Sequence, residues 1–212
     1  MRKGSRLKQR IPKYNLRDVE IINKESCYQG FFQLDRYTLR HKRFDNTDSD
    51  IIHREIFERG DAVAVLAYDP KRDEVVLVEQ FRAAARQHPS SPWLIEVVAG
   101  MLDKDLSIEQ TATLELFEET GLRANKLMFI NSFMTSPGGC SERISLYLAL
   151  VDATTAAISG GVDDEHEDIL VHTMPRQQAW QWLEAGEIDN AVTIIALQWL
   201  QLNYLNLGDD EK

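Results

Sequence analysis

The order of strand-like and helix-like stretches is what most limits how this chain can fold. Residues 19–57 are strand-like. Within them Phe32 and Leu34 alternate with polar neighbours, and Tyr37 and Leu39 resume one residue out of phase, as a β-bulge causes. The run Asp45-Asn46-Thr47-Asp48-Ser49-Asp50 is a turn-rich break, and residues 52–57 read as another strand. After Gly60, residues 62–68 and 74–81 are apolar strands joined by the turn Asp69-Pro70-Lys71-Arg72-Asp73. Further strands are expected at 93–98, 127–134, 143–151 and 168–174. One helix is announced by Ser107 and Gln110, which have the form of a capping box, and by Gly121, which suits the position just past its end. Pro175 opens a second helix through residue 183. Residues 191–205 form a third, with Ile194, Ile195, Leu197, Leu200 and Leu202 at helical spacing. The pattern predicts a small all-β piece followed by an α/β sandwich.

Charge narrows the function classes. The 212 residues carry 24 Lys and Arg against 34 Asp and Glu, a formal net charge of −10. That balance argues against non-specific nucleic-acid binding, which rests on clustered cations. A small phosphorylated substrate remains open if metal ions screen the charge. Cys27 and Cys140 are too few for a disulfide framework, so a reducing, cytoplasmic setting is expected. No apolar run approaches membrane-spanning length. The basic start (Arg2, Lys3, Arg6, Lys8, Arg10) has no apolar stretch behind it and does not read as a secretory signal.

Within the announced helix, Glu115, Glu118 and Glu119 are three and four residues apart and share one face, their Cβ atoms about 5–6 Å apart. Like charges at that spacing repel, so a cation is expected among them. Mg²⁺ suits, because hard divalent ions prefer carboxylate oxygens and bridge to phosphates. The plainer alternative is a solvated acidic face. Other constellations fail. His41, His53, His88, His166 and His172 lack zinc-ligand spacing. Cys140 and Ser141 make no nucleophile elbow, and Gly138-Gly139 has no lysine and helix behind it. Trp180, Trp182 and Trp199 read as packing residues.

Residues 100–122 resemble the box of the Nudix hydrolase family, in which a glycine, an acidic residue, then Arg-Glu, an aliphatic residue and Glu-Glu recur at fixed spacing. Gly100, Glu115, Leu116, Glu118, Glu119, Gly121 and Leu122 match. Leu106 stands where the family has its first glutamate, and Leu114 where it has its arginine. Over residues 19–202 the chain looks like the bacterial ADP-ribose pyrophosphatase subfamily. The matching words are Tyr28-Gln29-Gly30-Phe31-Phe32, Arg54 to Gly60, Val97-Val98-Ala99-Gly100-Met101, Ser136 to Arg143 and Asp163 to Asp168.

The resemblance implies an α/β (α+β) fold: a Nudix α/β/α sandwich with a mixed sheet, preceded by a small antiparallel β-domain exchanged in a homodimer. Residues 1–18 would be a flexible basic N-terminus, 19–60 the β-domain and 61–207 the hydrolase domain. The implied substrate is a small nucleotide sugar, with no nucleic-acid or membrane partner. Magnesium, or manganese in its place, would be held by the main-chain carbonyl of Ala99 and by Glu115, Glu119 and Glu167, with Glu118 in support. Glu165 would be the base. Substrate contacts fall on Phe31, Phe32, Arg54, Glu55, Arg59, Arg82, Met101, Ser136, Pro137, Gly138 and Glu142, many of them from the partner subunit. The implied reaction is hydrolysis of ADP-ribose to AMP and ribose 5-phosphate. Two alternatives stand beside it: another nucleoside-diphosphate-sugar pyrophosphatase, such as one acting on GDP-mannose, and a non-catalytic domain that senses ADP-ribose. Since both departures replace a charge, Leu106 and Leu114 are expected to lie close together in an apolar contact.

Overall fold

Strands β1 (Val19–Gln29), β2 (Gln33–His41) and β3 (Ile52–Glu58) form an antiparallel sheet in the order β1-β2-β3. They belong to the first of two compact units in a computed structural model, which describes residues 14–103, 105–162, 164 and 166–207. That unit comprises Met1–Arg59 and Gly138–Ser141; the second comprises Gly60–Pro137 and Glu142–Lys212. The bulge expected within residues 32–39 is not found in β2. The β2–β3 register runs unbroken from Gln33↔Glu58 to Leu39↔Ile52, while β1 slips between Ile21 and Asn23 and between Ser26 and Tyr28. The expected flexible start 1–18 falls mostly outside the described residues. Its last part is capped rather than loose: Asn15 and Asp18 close a reciprocal box around the 3₁₀ turn Leu16–Asp18.

Among the described residues the first sheet has no apolar core of its own, since the buried hydrophobic residues begin at Ala62. Every residue of β1 is exposed. Its one fully buried group is Asp35, which pairs with Lys24 at 2.8 Å and is held below the usual carboxylate range by Lys24 and then by the Gln33 amide.

In the second unit the chain runs β4 (Ala62–Asp69), β5 (Glu74–Phe81), β6 (Trp93–Glu96), β7 (Val98–Met101), α1 (Ile108–Thr120), β8 (Lys126–Met134), β9 (Arg143–Leu150), β10 (Ser159–Gly160), β11 (Ile169–Pro175), α2 (Arg176–Ala185) and α3 (Ala191–Asn203). The sheet order is β10-β11-β5-β4-β9-β8, with β6 on β5 and β7 on β4. It is mixed: β4 and β9 are parallel, and the other pairs antiparallel. All eight residues of β4 are buried because both faces are covered. Ala62, Ala64, Leu66 and Tyr68 join a core with Leu197 and Leu200 of α3, while Val63, Val65 and Ala67 join a second core with Ala112 and Leu116 of α1. The sequence expects one strand at 93–98. The chain instead changes partner at Val97, whose N–H donates to Thr193 Oγ1 at 3.0 Å, so that β6 pairs with β5 and β7 with β4. Among the described residues no helix is long and apolar enough to cross a membrane.

The turn between β4 and β5 is locked to α2 by a half-buried polar network. Asp73 accepts from Arg176 Nε at 2.7 Å, from Nη2 at 2.9 Å and from the Tyr68 hydroxyl at 2.8 Å. Arg176 is 7% exposed and also donates to Gln201 at 2.6 Å. Asp73→Ala strands that guanidinium and places alanine at a φ of 53°. We expect a loss of about 2–3 kcal/mol by denaturant unfolding, below the full cost of breaking a buried pair because Asp73 is itself half exposed. Asp73→Asn should lose less, since asparagine tolerates that backbone and keeps an acceptor.

Candidate active site

Helix α1 starts and stops where its end residues dictate. Ser107 Oγ accepts the Gln110 N–H at 3.2 Å, Gln110 Oε1 accepts the Ser107 N–H at 2.8 Å, and Gly121 takes a φ of 71° just past the end. Burial of Ala112 and Leu116 against the sheet fixes which face turns inward. That face carries Glu119 with it: the residue is 1% exposed, and its Oε2 has no hydrogen-bond partner. A solvated acidic face is therefore the wrong description. Glu115 and Glu118 are half-buried beside it.

Small residues bring backbone against these carboxylates. A Cβ on Gly100 would overlap the Glu115 carboxyl group, and one on Gly160 would overlap the Glu119 carbonyl. The Gly161 N–H donates to the Glu118 carbonyl at 2.9 Å. Gly161, at a φ of 100°, packs against Glu167, whose Oε2 accepts the Val162 N–H at 3.3 Å. Burial first, then the carboxylates of Glu167 and Glu115, push the Glu119 carboxyl well above its usual range; a hydrogen bond from the Ala99 backbone and the charge of Arg82 pull the other way. Ala99, Glu115 and Glu167 are thus groups whose charge or backbone bears on the buried Glu119 carboxyl. Among the described residues no three acidic, histidine or cysteine side chains are already drawn together as a metal cage. The donor set nevertheless suits a hard divalent ion. It is all oxygen, and it includes a buried carboxylate oxygen that lacks any partner.

The expected substrate contacts fall in both units. In the second, Arg82 binds Glu96 through Nε at 2.9 Å and Nη2 at 2.8 Å. Met101 ends β7, Ser136 and Pro137 are exposed, and Glu142, 4% exposed, accepts the Thr135 hydroxyl at 2.8 Å. In the first unit Phe31 is 84% exposed and packs edge-on to Phe32 with ring centres 4.7 Å apart. Phe32 in turn meets Phe57 at 5.2 Å and the Arg59 guanidinium at 5.4 Å. Arg54 is exposed, Glu55 pairs with Arg36 at 2.8 Å, and Gly138 faces open space. Glu165 lies outside the described residues.

Leu106 is 41% exposed, Leu114 is half-buried, and neither joins a core cluster, so the two leucines do not make a well-buried apolar site. Leu106 sits in the loop before the Ser107 cap, whereas the helix buries the face marked by Ala112 and Leu116. The sequence reading also passed over Glu96, Gly160 and Gly161. Glu96 was detectable only through the β5–β6 register, and the two glycines only through their contact with α1.

Residues 58–197 match the NUDIX domain. The chain is 51% identical over 193 residues to the ADP-ribose pyrophosphatase of Escherichia coli K12, covering 91% of this chain and 92% of that one. It is 44% identical to the ADP-ribose pyrophosphatase of Haemophilus influenzae (95% and 94% covered) and 37% identical to the GDP-mannose pyrophosphatase of Cronobacter sakazakii (87% and 96% covered). A crystal structure of an ADP compounds hydrolase shares the fold, with a TM-score of 0.69 at 19% identity, covering 92% of this chain and 98% of that one. With its two-faced mixed sheet, its glycine-packed carboxylate helix and these matches, the chain belongs to the Nudix hydrolases.

Proposed function

We propose that this chain hydrolyses the diphosphate of ADP-ribose, giving AMP and ribose 5-phosphate. The observation that carries this reading is the 51% identity to an ADP-ribose pyrophosphatase over nearly the whole length of both chains, against 37% for a GDP-mannose enzyme. Magnesium would be held by Glu115, Glu119 and Glu167 with the Ala99 carbonyl, Glu118 supporting them, and manganese can take its place. When bound, the ion supplies neutralisation of the diphosphate oxygens. Glu119 contributes a ligand that water cannot satisfy, since it is sealed against the sheet. Glu165 takes the proton from the attacking water. Arg82, Arg54 and Arg59 suit phosphate contacts, and Phe31 and Phe32 offer apolar faces to the base.

A homodimer with exchanged β-domains fits the coreless first sheet. Val19, Ile21, Ile22 and Tyr28 are exposed on a three-stranded sheet, which needs a covered apolar face to be stable. In that arrangement one subunit's Phe31, Phe32, Arg54, Glu55 and Arg59 serve the other's site. Two free cysteines suit a reducing cytoplasm.

The test is a panel of nucleotide sugars incubated with protein and Mg²⁺, with product identification. AMP and ribose 5-phosphate from ADP-ribose, formed faster than products from GDP-mannose, are expected. Preference for GDP-mannose would move the chain to the other pyrophosphatases. ADP-ribose binding without turnover would make it a sensor.

A further inference from the structure

The two leucines in the box raise the question of what places α1, whose middle and last turns carry Glu115 and Glu119. The reciprocal Ser107–Gln110 cap, and the Thr111 hydroxyl that donates to the Ser107 carbonyl at 3.2 Å, are internal to the helix and its entry. They set where the helix starts but tie it to nothing else. Among the described residues a side-chain bond from the first turn reaches the sheet: the Tyr147 hydroxyl donates to Glu109 Oε1 at 3.0 Å.

Tyr147 is a firm anchor. It lies in β9, is 5% exposed, and stands opposite Val65 in the parallel β4–β9 register. Its ring packs edge-on to Phe129 with centres 5.4 Å apart. The hydroxyl cannot move far without opening the core on that face. Glu109 lies six residues before Glu115 and ten before Glu119, about 9 and 15 Å along the axis. A slide or rotation of the first turn is therefore carried rigidly to both carboxylates.

We propose that the Tyr147–Glu109 hydrogen bond is the positioning contact for the first turn of α1, acting beside the packing of Ala112 and Leu116 and the Gly161–Glu118 backbone bond that hold its later turns. It thereby holds Glu115 and Glu119 in register with the Ala99 backbone. The inference rests on the metal-binding part of the proposed function. Electrostatics agree with the geometry: burial and then Glu109 push the Tyr147 phenol up, and Glu109 is held below its usual range by its own backbone and then by Tyr147.

The test is Mg²⁺ binding by titration calorimetry on the full chain, with kcat and KM for ADP-ribose, in Tyr147→Phe, Glu109→Ala and Glu109→Gln. Phenylalanine keeps the ring packing, and glutamine keeps an acceptor. Tyr147→Phe and Glu109→Ala should each weaken Mg²⁺ binding about tenfold. Both should leave the substrate KM at saturating metal unchanged, and the double variant should be no worse than either alone. Glu109→Gln should bind Mg²⁺ like the unaltered chain. Unaltered affinity in the first two variants overturns the proposal, as do additive losses, losses that merely track a falling Tm, or an unaltered chain that binds no Mg²⁺. If the pattern appears in calorimetry but the chain leaves ADP-ribose intact, the substrate reading fails while the positioning role stands.

Discussion

Glu119→Gln should cut turnover of ADP-ribose by roughly 10²-fold or more at saturating Mg²⁺, because even partners outside the ligand shell cost 10–100-fold when removed. The same change should stabilise the metal-free protein. Glu119 is 1% exposed, its Oε2 has no partner, and Glu167 and Glu115 oppose its charge. Its folded-state pKa is raised above the ordinary 4.5. Its contribution to stability is therefore fully present below that value and is lost as pH rises through the folded pKa. With EDTA present, the Tm of Glu119→Gln minus that of the unaltered chain should be near zero in acid and grow as pH rises through that window. Added Mg²⁺ should raise the Tm of the unaltered chain more than that of the variant. Unchanged turnover, or equal Mg²⁺ stabilisation of both proteins, would remove Glu119 from the metal site.

The second large effect is expected at Glu165. Glutamine there keeps size and hydrogen bonding but takes no proton at neutral pH. A general base contributes about 10²–10⁴-fold, so Glu165→Gln should lower kcat by that order and leave KM largely alone. A loss of less than about tenfold would pass the role to Glu167, two residues on, or to another group. Steady-state kinetics with Mg²⁺ held saturating separates this from a metal defect, which more metal would partly rescue.

Much of this protein was legible without coordinates. Ser107, Gln110 and Gly121 set the ends of α1 because capping is local chemistry, complete within one turn of chain. The order of strands and helices followed from apolar spacing for the same reason. The box glycine and glutamates could be read as a unit, since helical geometry alone puts Glu115, Glu118 and Glu119 on one side.

What pairing and packing decide could not be read that way. Which strand holds the bulges depended on the β1–β2 register, and the break at Val97 on a threonine ninety-six residues later. The leucines at 106 and 114 are apolar yet stay outside both cores, because burial is set by the direction in which the helix meets the sheet. Only the tertiary structure turned Glu119 from one of three similar glutamates into a sealed carboxylate with an unsatisfied oxygen. Only it joined Glu109 to Tyr147, thirty-eight residues away. Local bonds can be read from neighbours in sequence, whereas desolvation and long-range contacts exist only once the layers have closed.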